Sequence, residues 1–194
     1  MNRIAVTGLE NRGNLLVTKA LSIMFGYDLC VSPSYSQIAG RYGLSADIEA
    51  CQWPDSYVYC MGALMERVIT EQRYGENFVS DGSVLKEAAW LKRRYPQVEL
   101  IYEQSMIHSL ERIIAEYASK KYDYIFHLSV PDGTETPEAS CIRQMFEAYR
   151  IKHIPVISSG NVDALQIMAE HLDVKPELPA AVALTKAARG WESR

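Results

Sequence analysis

The sequence is poor in the features that most directly betray a function. Its four cysteines, Cys30, Cys51, Cys60 and Cys141, form no C-x-x-C pair and have no histidine at metal-site spacing. That pattern argues against a zinc site or a thioredoxin-like redox motif, so no metal site is expected. No apolar run is long enough to cross a bilayer, and no charged-then-apolar leader opens the chain. A cytoplasmic protein with reduced thiols and no membrane partner is therefore expected. Basic residues do not exceed acidic ones: 20 Lys and Arg stand against 24 Asp and Glu, a net charge of -4. Without a basic footprint, binding to nucleic acid by broad electrostatic attraction is disfavoured. No internal repeat or low-complexity linker divides the 194 residues, and this length suits one compact α/β domain.

What is present begins in the first twenty residues. Ile4 to Val6 reads as a buried strand, Gly8 and Gly13 bracket a tight turn, and Leu15, Leu16, Lys19 and Ala20 start a helical pattern. Strand, glycine loop and helix are the setting of a phosphate-binding loop, and the glycine spacing fits G-x-x-x-x-G-K-[ST]. Yet Asn14 stands at the lysine position and Leu15 at the hydroxyl position. Backbone N–H groups at a helix start still attract an anion. Removing one preorganised charge stabiliser, however, costs roughly 10²–10³ in rate, and Leu15 offers magnesium no ligand. The alternative is an ordinary strand-turn-helix corner.

The rest of the chain alternates. Gly26 ends the first helix, and the run from Tyr27 to Pro33 holds a short strand. A helix stopped by Gly43 follows, and Trp53 sits in the next loop as a cover residue. A helix capped by Asp55 or Ser56 carries Tyr57, Met61, Leu64, Met65, Val68 and Ile69 as one core stripe. Asn77–Asp81 is a third strand, leading into a helix whose closing Lys92, Arg93 and Arg94 suit the helix dipole and read as a solvated end. Residues 96–102 are ambiguous between a loop and an extended piece, and a helix runs from Gln104 to Lys121. The span from Tyr122 to Val130 is the strongest strand, with His127 read as a core or half-buried histidine. Thr136 caps the next helix with Pro137 in its first position, and His153 to Ile157 is the last strand. Ser158, Gly160 and Asn161 follow, with Asn161 as a helix cap. Short, almost wholly apolar strands alternating with helices predict a three-layer α/β/α sandwich on a mainly parallel five-stranded sheet. The expected domain spans 1–172. A helical tail over 173–194 is expected to pack weakly, on that domain or on a partner.

With these elements in order, the chain resembles the P-loop NTPase-like kinases, in the branch of ribosylnicotinamide-kinase-like ATPases and nucleoside and nucleoside-monophosphate kinases. The stretch from Ile4 to Gly13 looks like that family's loop, and Val79-Ser80-Asp81-Gly82-Ser83 looks like its Asp-Arg-Ser turn. The resemblance implies an anion site at Gly8, Glu10, Asn11, Arg12, Gly13, Asn14 and Leu15, with Asp81 at its rim. Ser158, Gly160 and Asn161 would flank a base, and ATP with magnesium would be the cofactor if the loop functions. The departures fall on chemistry: Asn14 for the lysine, Leu15 for the hydroxyl, Ser34 for a glutamate base, Gly82 for an arginine, and an acidic lid of Asp132, Glu135 and Glu138. A fold retained after loss of catalysis is the expectation, acting as a binding or regulatory module toward a nucleotide, a small molecule, a protein partner or a second copy. Two alternatives stay open. One is an active small-molecule kinase in which Arg12 or Arg143 supplies the missing cation and Asp81 holds magnesium or acts as base. The other is a module for a non-nucleotide ligand, seated at the carboxyl ends of the strands.

Overall fold

The computed structural model describes residues 1–8, 12–31, 33–45, 47, 51–95 and 101–192, with the side chains of 12, 13, 191 and 192 left aside. It is a three-layer α/β/α sandwich around one five-stranded, all-parallel sheet, in the order β2-β3-β1-β4-β5. The strands are β1 (Asn2–Thr7), β2 (Asp28–Cys30), β3 (Asn77–Asp81), β4 (Tyr124–Ser129) and β5 (Ile154–Ile157). Their short apolar runs need cover on both faces, and period-two alternation divides them between two cores. Ile4, Val6, Val79, Phe126, Leu128 and Val156 point to one face. Ala5, Cys30, Phe78 and Ile125 point to the other.

The first face is covered by α1 (Arg12–Phe25), α7 (Asn161–His171) and α8 (Ala180–Glu192). In α8, Ala180, Ala183 and Ala187 are buried in the same core as β1, and small side chains let it lie close along α1. This tail is thus part of a core layer, where weak packing was expected. Burial of spaced alanines is visible only once a partner helix is in place.

The second face is covered by α3 (Asp55–Arg73), α4 (Leu85–Arg94), α5 (Ile101–Lys121) and α6 (Pro137–Tyr149). The short α2 (Tyr35–Tyr42) leans on α3. Several helix boundaries follow expectation. Gly26 and Gly43 take positive φ at helix ends, and Thr136 accepts from Ala139 N with Pro137 behind it. Others shift: Pro54 rather than Asp55 or Ser56 precedes α3, and Gly160 rather than Asn161 precedes α7. The ambiguous piece after Tyr95 falls partly at 96–100, outside the described residues, and α5 starts at Ile101.

The core stripe predicted for α3 holds in part: Leu64 is buried and Tyr57, Met61 and Val68 pack against the core, whereas Met65 and Ile69 are exposed. The buried face also carries Cys60, Arg67 and Glu71. Arg67 is completely buried: its guanidinium donates to Ser80 Oγ (3.0 Å), to the Asp81 carbonyl (2.9 Å) and to Glu87 Oε1 (3.2 Å). Glu71 accepts from Ser80 Oγ and Tyr122 OH, both 2.7 Å, and from Tyr117 OH at 2.9 Å. A polar stripe on a core-facing helix is permissible because its partners come from β3, α4 and α5 together. Trp53, expected to cover a site, instead packs against Tyr57 and Tyr95 at the α3 end.

Burial pushes the Cys30 thiol up to about 11 and the Cys60 thiol well above its ordinary value, so both are held as core thiols.

Candidate functional site

Adjacent strands β1 and β3 feed helices on opposite faces, α1 and α4. Where two neighbouring strands send their connections apart, a crevice opens beyond their carboxyl ends, the usual ligand position in open α/β sheets. A cleft of about 270 Å³ lies there. Thr7 and Gly8 enter it from β1, Asn14 from α1, and Asp81 and Gly82 from β3. Lys86 and Arg93 of α4 line one side, and Glu138, Ala139 and Ile142 of α6 another.

The floor is held rigidly. Gly8 has φ +111°, and a Cβ there would stand 2.1 Å from the Leu128 carbonyl oxygen, so only glycine lets the backbone pass β4. Gly82 takes φ +84° and donates its N–H to the Val6 carbonyl, 2.8 Å away. An arginine at this place after Asp81 would be strained. The buried Arg67, bonded to Ser80 Oγ and the Asp81 carbonyl, braces the same strand end from below.

Asn14 is nine-tenths buried and tied inward: Nδ2 donates to the Val6 carbonyl and to Asp81 Oδ1, both at 3.0 Å. Two acceptors fix which way the amide is turned, since its oxygen cannot face either. Asn14 Oδ1 is consequently left buried with no donor among the described residues. Such an atom carries a desolvation cost of about 1–3 kcal/mol until a donor reaches it.

Among the described residues, the cations lining this cleft come from α4. Lys86 and Arg93 are seven residues apart and share a helix face; both are exposed, and neither forms a salt bridge among the described residues. Sequence reasoning passed over Lys86 and assigned Arg93 to a solvated helix end. The other two residues of that basic run are engaged elsewhere, Lys92 with Glu111 and Arg94 with the Cys51 carbonyl. The seven-residue spacing after the Asp81-Gly82 turn is the signal that would have found the pair.

The other predicted site residues divide clearly. Gly8, Asn14 and Asp81 meet in the cleft. Glu10 and Asn11 lie outside the described residues, and Arg12 and Gly13 open α1. Leu15 is half-buried and does not line the cleft. Arg143 is also absent from the lining: its guanidinium is held by Glu135 at 3.1 Å and Glu147 at 3.1 Å, so the acidic loop takes up this arginine. Ser158, Gly160 and Asn161 stand beyond edge strand β5, away from the cleft. Ser34, where the resemblance led to the expectation of a glutamate base, caps α2 through a reciprocal pair with Gln37.

Behind the cleft, His127 is buried on β4 with Nδ1 3.0 Å from Thr7 Oγ1, its ring edge-on to Phe146. Burial, then the neighbouring His153, pushes its pKa down to about 4; Glu135, 3.8 Å from Nε2, opposes this only in part. The folded state therefore binds this proton less readily than the unfolded chain. The neutral ring's contribution is intact above the ordinary pKa of about 6.5 and is lost as pH falls toward 4, a total of about 3 kcal/mol. Urea midpoints measured from pH 7 to pH 4 are expected to fall more steeply for the native chain than for His127→Leu. Parallel profiles would show that another group governs acid stability.

No family model matches the chain, and no curated protein matches it.

Proposed function

We propose that this protein is a degenerate P-loop kinase-like binding module, with weak or no nucleotide binding and no efficient phosphoryl transfer, that holds a small ligand in the cleft between β1 and β3. The observation that carries this reading is the pair of hydrogen bonds from Asn14 Nδ2 to Val6 and Asp81. At the place where a phosphate-binding loop presents a lysine to the transferring group, this chain has a side chain bonded to its own floor. The atom left over, Oδ1, is an acceptor. Phosphate oxygens are acceptors too, and Leu15 has no oxygen for magnesium, so these residues do not fit an ATP–magnesium complex. Asp81 is likewise engaged with Asn14, and Arg143, one of the cations able to replace the lysine, is committed to Glu135 and Glu147. Binding needs none of the lost groups, whereas transfer needs preorganised positive charge at the moving phosphoryl group.

The test is a thermal-shift titration with ATP, ADP and GTP, with and without magnesium. The native chain is expected to show no magnesium-dependent shift. The double change Asn14→Lys with Leu15→Thr, which returns both missing groups to the loop, is expected to acquire one with ATP. Turnover of a nucleoside or phosphorylated substrate by the native chain, abolished in Asp81→Asn, would sink the proposal.

A further inference from the structure

We infer that the outer face of α3 is a homodimer interface, on which a second copy of this chain seats its own α3 antiparallel about a two-fold axis. This goes beyond the binding-module reading and does not depend on it, since the face shares no residue with the cleft between β1 and β3. The helix is apolar on two sides. Its inner side supplies Cys60 and Leu64 to the core. On its outer side Val58, Met65 and Ile69 are 38%, 49% and 42% exposed, with Met61 half-buried between them. At 3.6 residues per turn these four fall within about 80° of one another. Tyr42 of α2, itself exposed, lies against Gly62 and lines a groove together with Val58, Met61 and Met65. A solvated helix face carries polar side chains, and a contiguous exposed apolar row marks a protein contact.

The flanking charges select a second copy as the occupant. Asp55 and Arg73 stand at the two ends of α3, about five turns apart, and so on the same edge of the apolar row. Both are exposed, and neither forms a salt bridge among the described residues. A two-fold axis perpendicular to the helix pair reverses the helix direction and keeps that edge facing itself. It therefore sets Asp55 against Arg73 of the second copy, and Arg73 against the second copy's Asp55, two ion pairs at once. The same axis sets Val58 against Ile69 and Met61 against Met65. All three pairings reflect about one place in the helix, at Ala63 and Leu64. The α3 carboxylate nearest that centre, Glu66, is ion-paired with Arg41 of its own chain, so it brings no uncompensated charge to the middle of the face.

The experiment is sedimentation velocity on the full chain across a concentration series, at low ionic strength where exposed charges are least screened. Dimers are expected to form as the concentration rises from micromolar to millimolar. Met65→Glu, a change at an exposed position, is expected to keep the chain monomeric across the series without moving its melting temperature at the lowest concentration. Asp55→Arg and Arg73→Asp are each expected to weaken self-association about tenfold or more, because each sets like charges together at both ends of the helix pair. Mixing these two variants is expected to return association to near the native strength, because the heterodimer again places opposite charges at both ends. A native chain that stays monomeric up to millimolar concentration overturns the inference and leaves the face to a different protein. A dimer that survives Met65→Glu uses another surface, and mixed charge variants that associate no better than either alone exclude the antiparallel register; each of these overturns it too. None touches the binding-module reading, which fails on a different result, magnesium–ATP turnover by the native chain.

Discussion

Replacing Arg67 with methionine is expected to remove about 3–5 kcal/mol of stability, the usual cost of breaking a buried ion pair by deleting one partner. Burial by itself would lower the pKa of this guanidinium, but Glu87, Tyr122 and Glu71 more than offset that and raise it, so the side chain is cationic at any ordinary pH. With the cation gone, Glu87 is left in a fully buried position whose carboxyl is already pushed up by burial and held down chiefly by Arg67. Ser80 Oγ loses a donor, and so does the Asp81 carbonyl, at the strand end that forms the cleft floor. Against a total stability of about 5–15 kcal/mol for a domain, this is about a fifth or more of the whole. Urea unfolding of the native and variant chains measures it. The double variant Arg67→Met with Glu87→Leu is expected to recover part of the loss, because a well-packed apolar pair replaces an orphaned charge. A midpoint for Arg67→Met within error of the native one would show that the network contributes nothing net.

The second large effect is expected at Gly8. In Gly8→Ala the new Cβ meets the backbone of Leu128, with its O at 2.1 Å and its N at 2.7 Å, and neither can turn away as a flexible side chain would. The φ of +111° adds conformational strain of about 1–3 kcal/mol. Relief requires β1 and β4 to separate at Thr7 and His127, their last paired residues. The variant is expected to melt at least about 6–12 °C lower, taking 2–4 °C per kcal/mol for a domain of this size, or to fail to fold. Gly133→Ala is the control. Its φ is also positive, +74°, but nothing lies within 4 Å of the added methyl. A loss confined to strain there, beside a much larger loss at Gly8, separates steric overlap from backbone preference. Equal losses would refute the close approach to β4.

Both predictions concern residues that differ in how visible they were beforehand. Gly8 stood out as a glycine between an apolar run and a helical pattern, and the structure adds only what it approaches. Arg67 did not stand out. Periodicity in α3 selected Met65 and Ile69 for the core, because a pattern of apolar residues cannot anticipate that a charged stripe will meet Ser80, Glu87 and Tyr122 from three other elements. The same limit applied at the cleft. Arg93 closes a helix with Lys92 and Arg94, where basic residues are favoured by the dipole alone, so the seven-residue spacing from Lys86 was the mark in the sequence of its place at the cleft.

The sequence by itself therefore determined the layered architecture. Each strand is a short apolar run and each helix has a 3.6-residue pattern with a recognisable stop, and both are local properties that do not depend on distant partners. It also set a strand, glycine turn and helix at the start of the chain, with Asn14 and Leu15 where a phosphate-binding loop would carry a lysine and a hydroxyl. Only the tertiary structure decided what Asn14 does there. Asn14 turned inward because Val6 and Asp81, one eight and the other sixty-seven residues away, present acceptors at the same point. Lys86 and Arg93 reach the same cleft from α4 because β1 and β3 send their helices to opposite faces. Hydrogen-bond partners and opposed faces arise from chain segments brought together in space, and no local pattern encodes them.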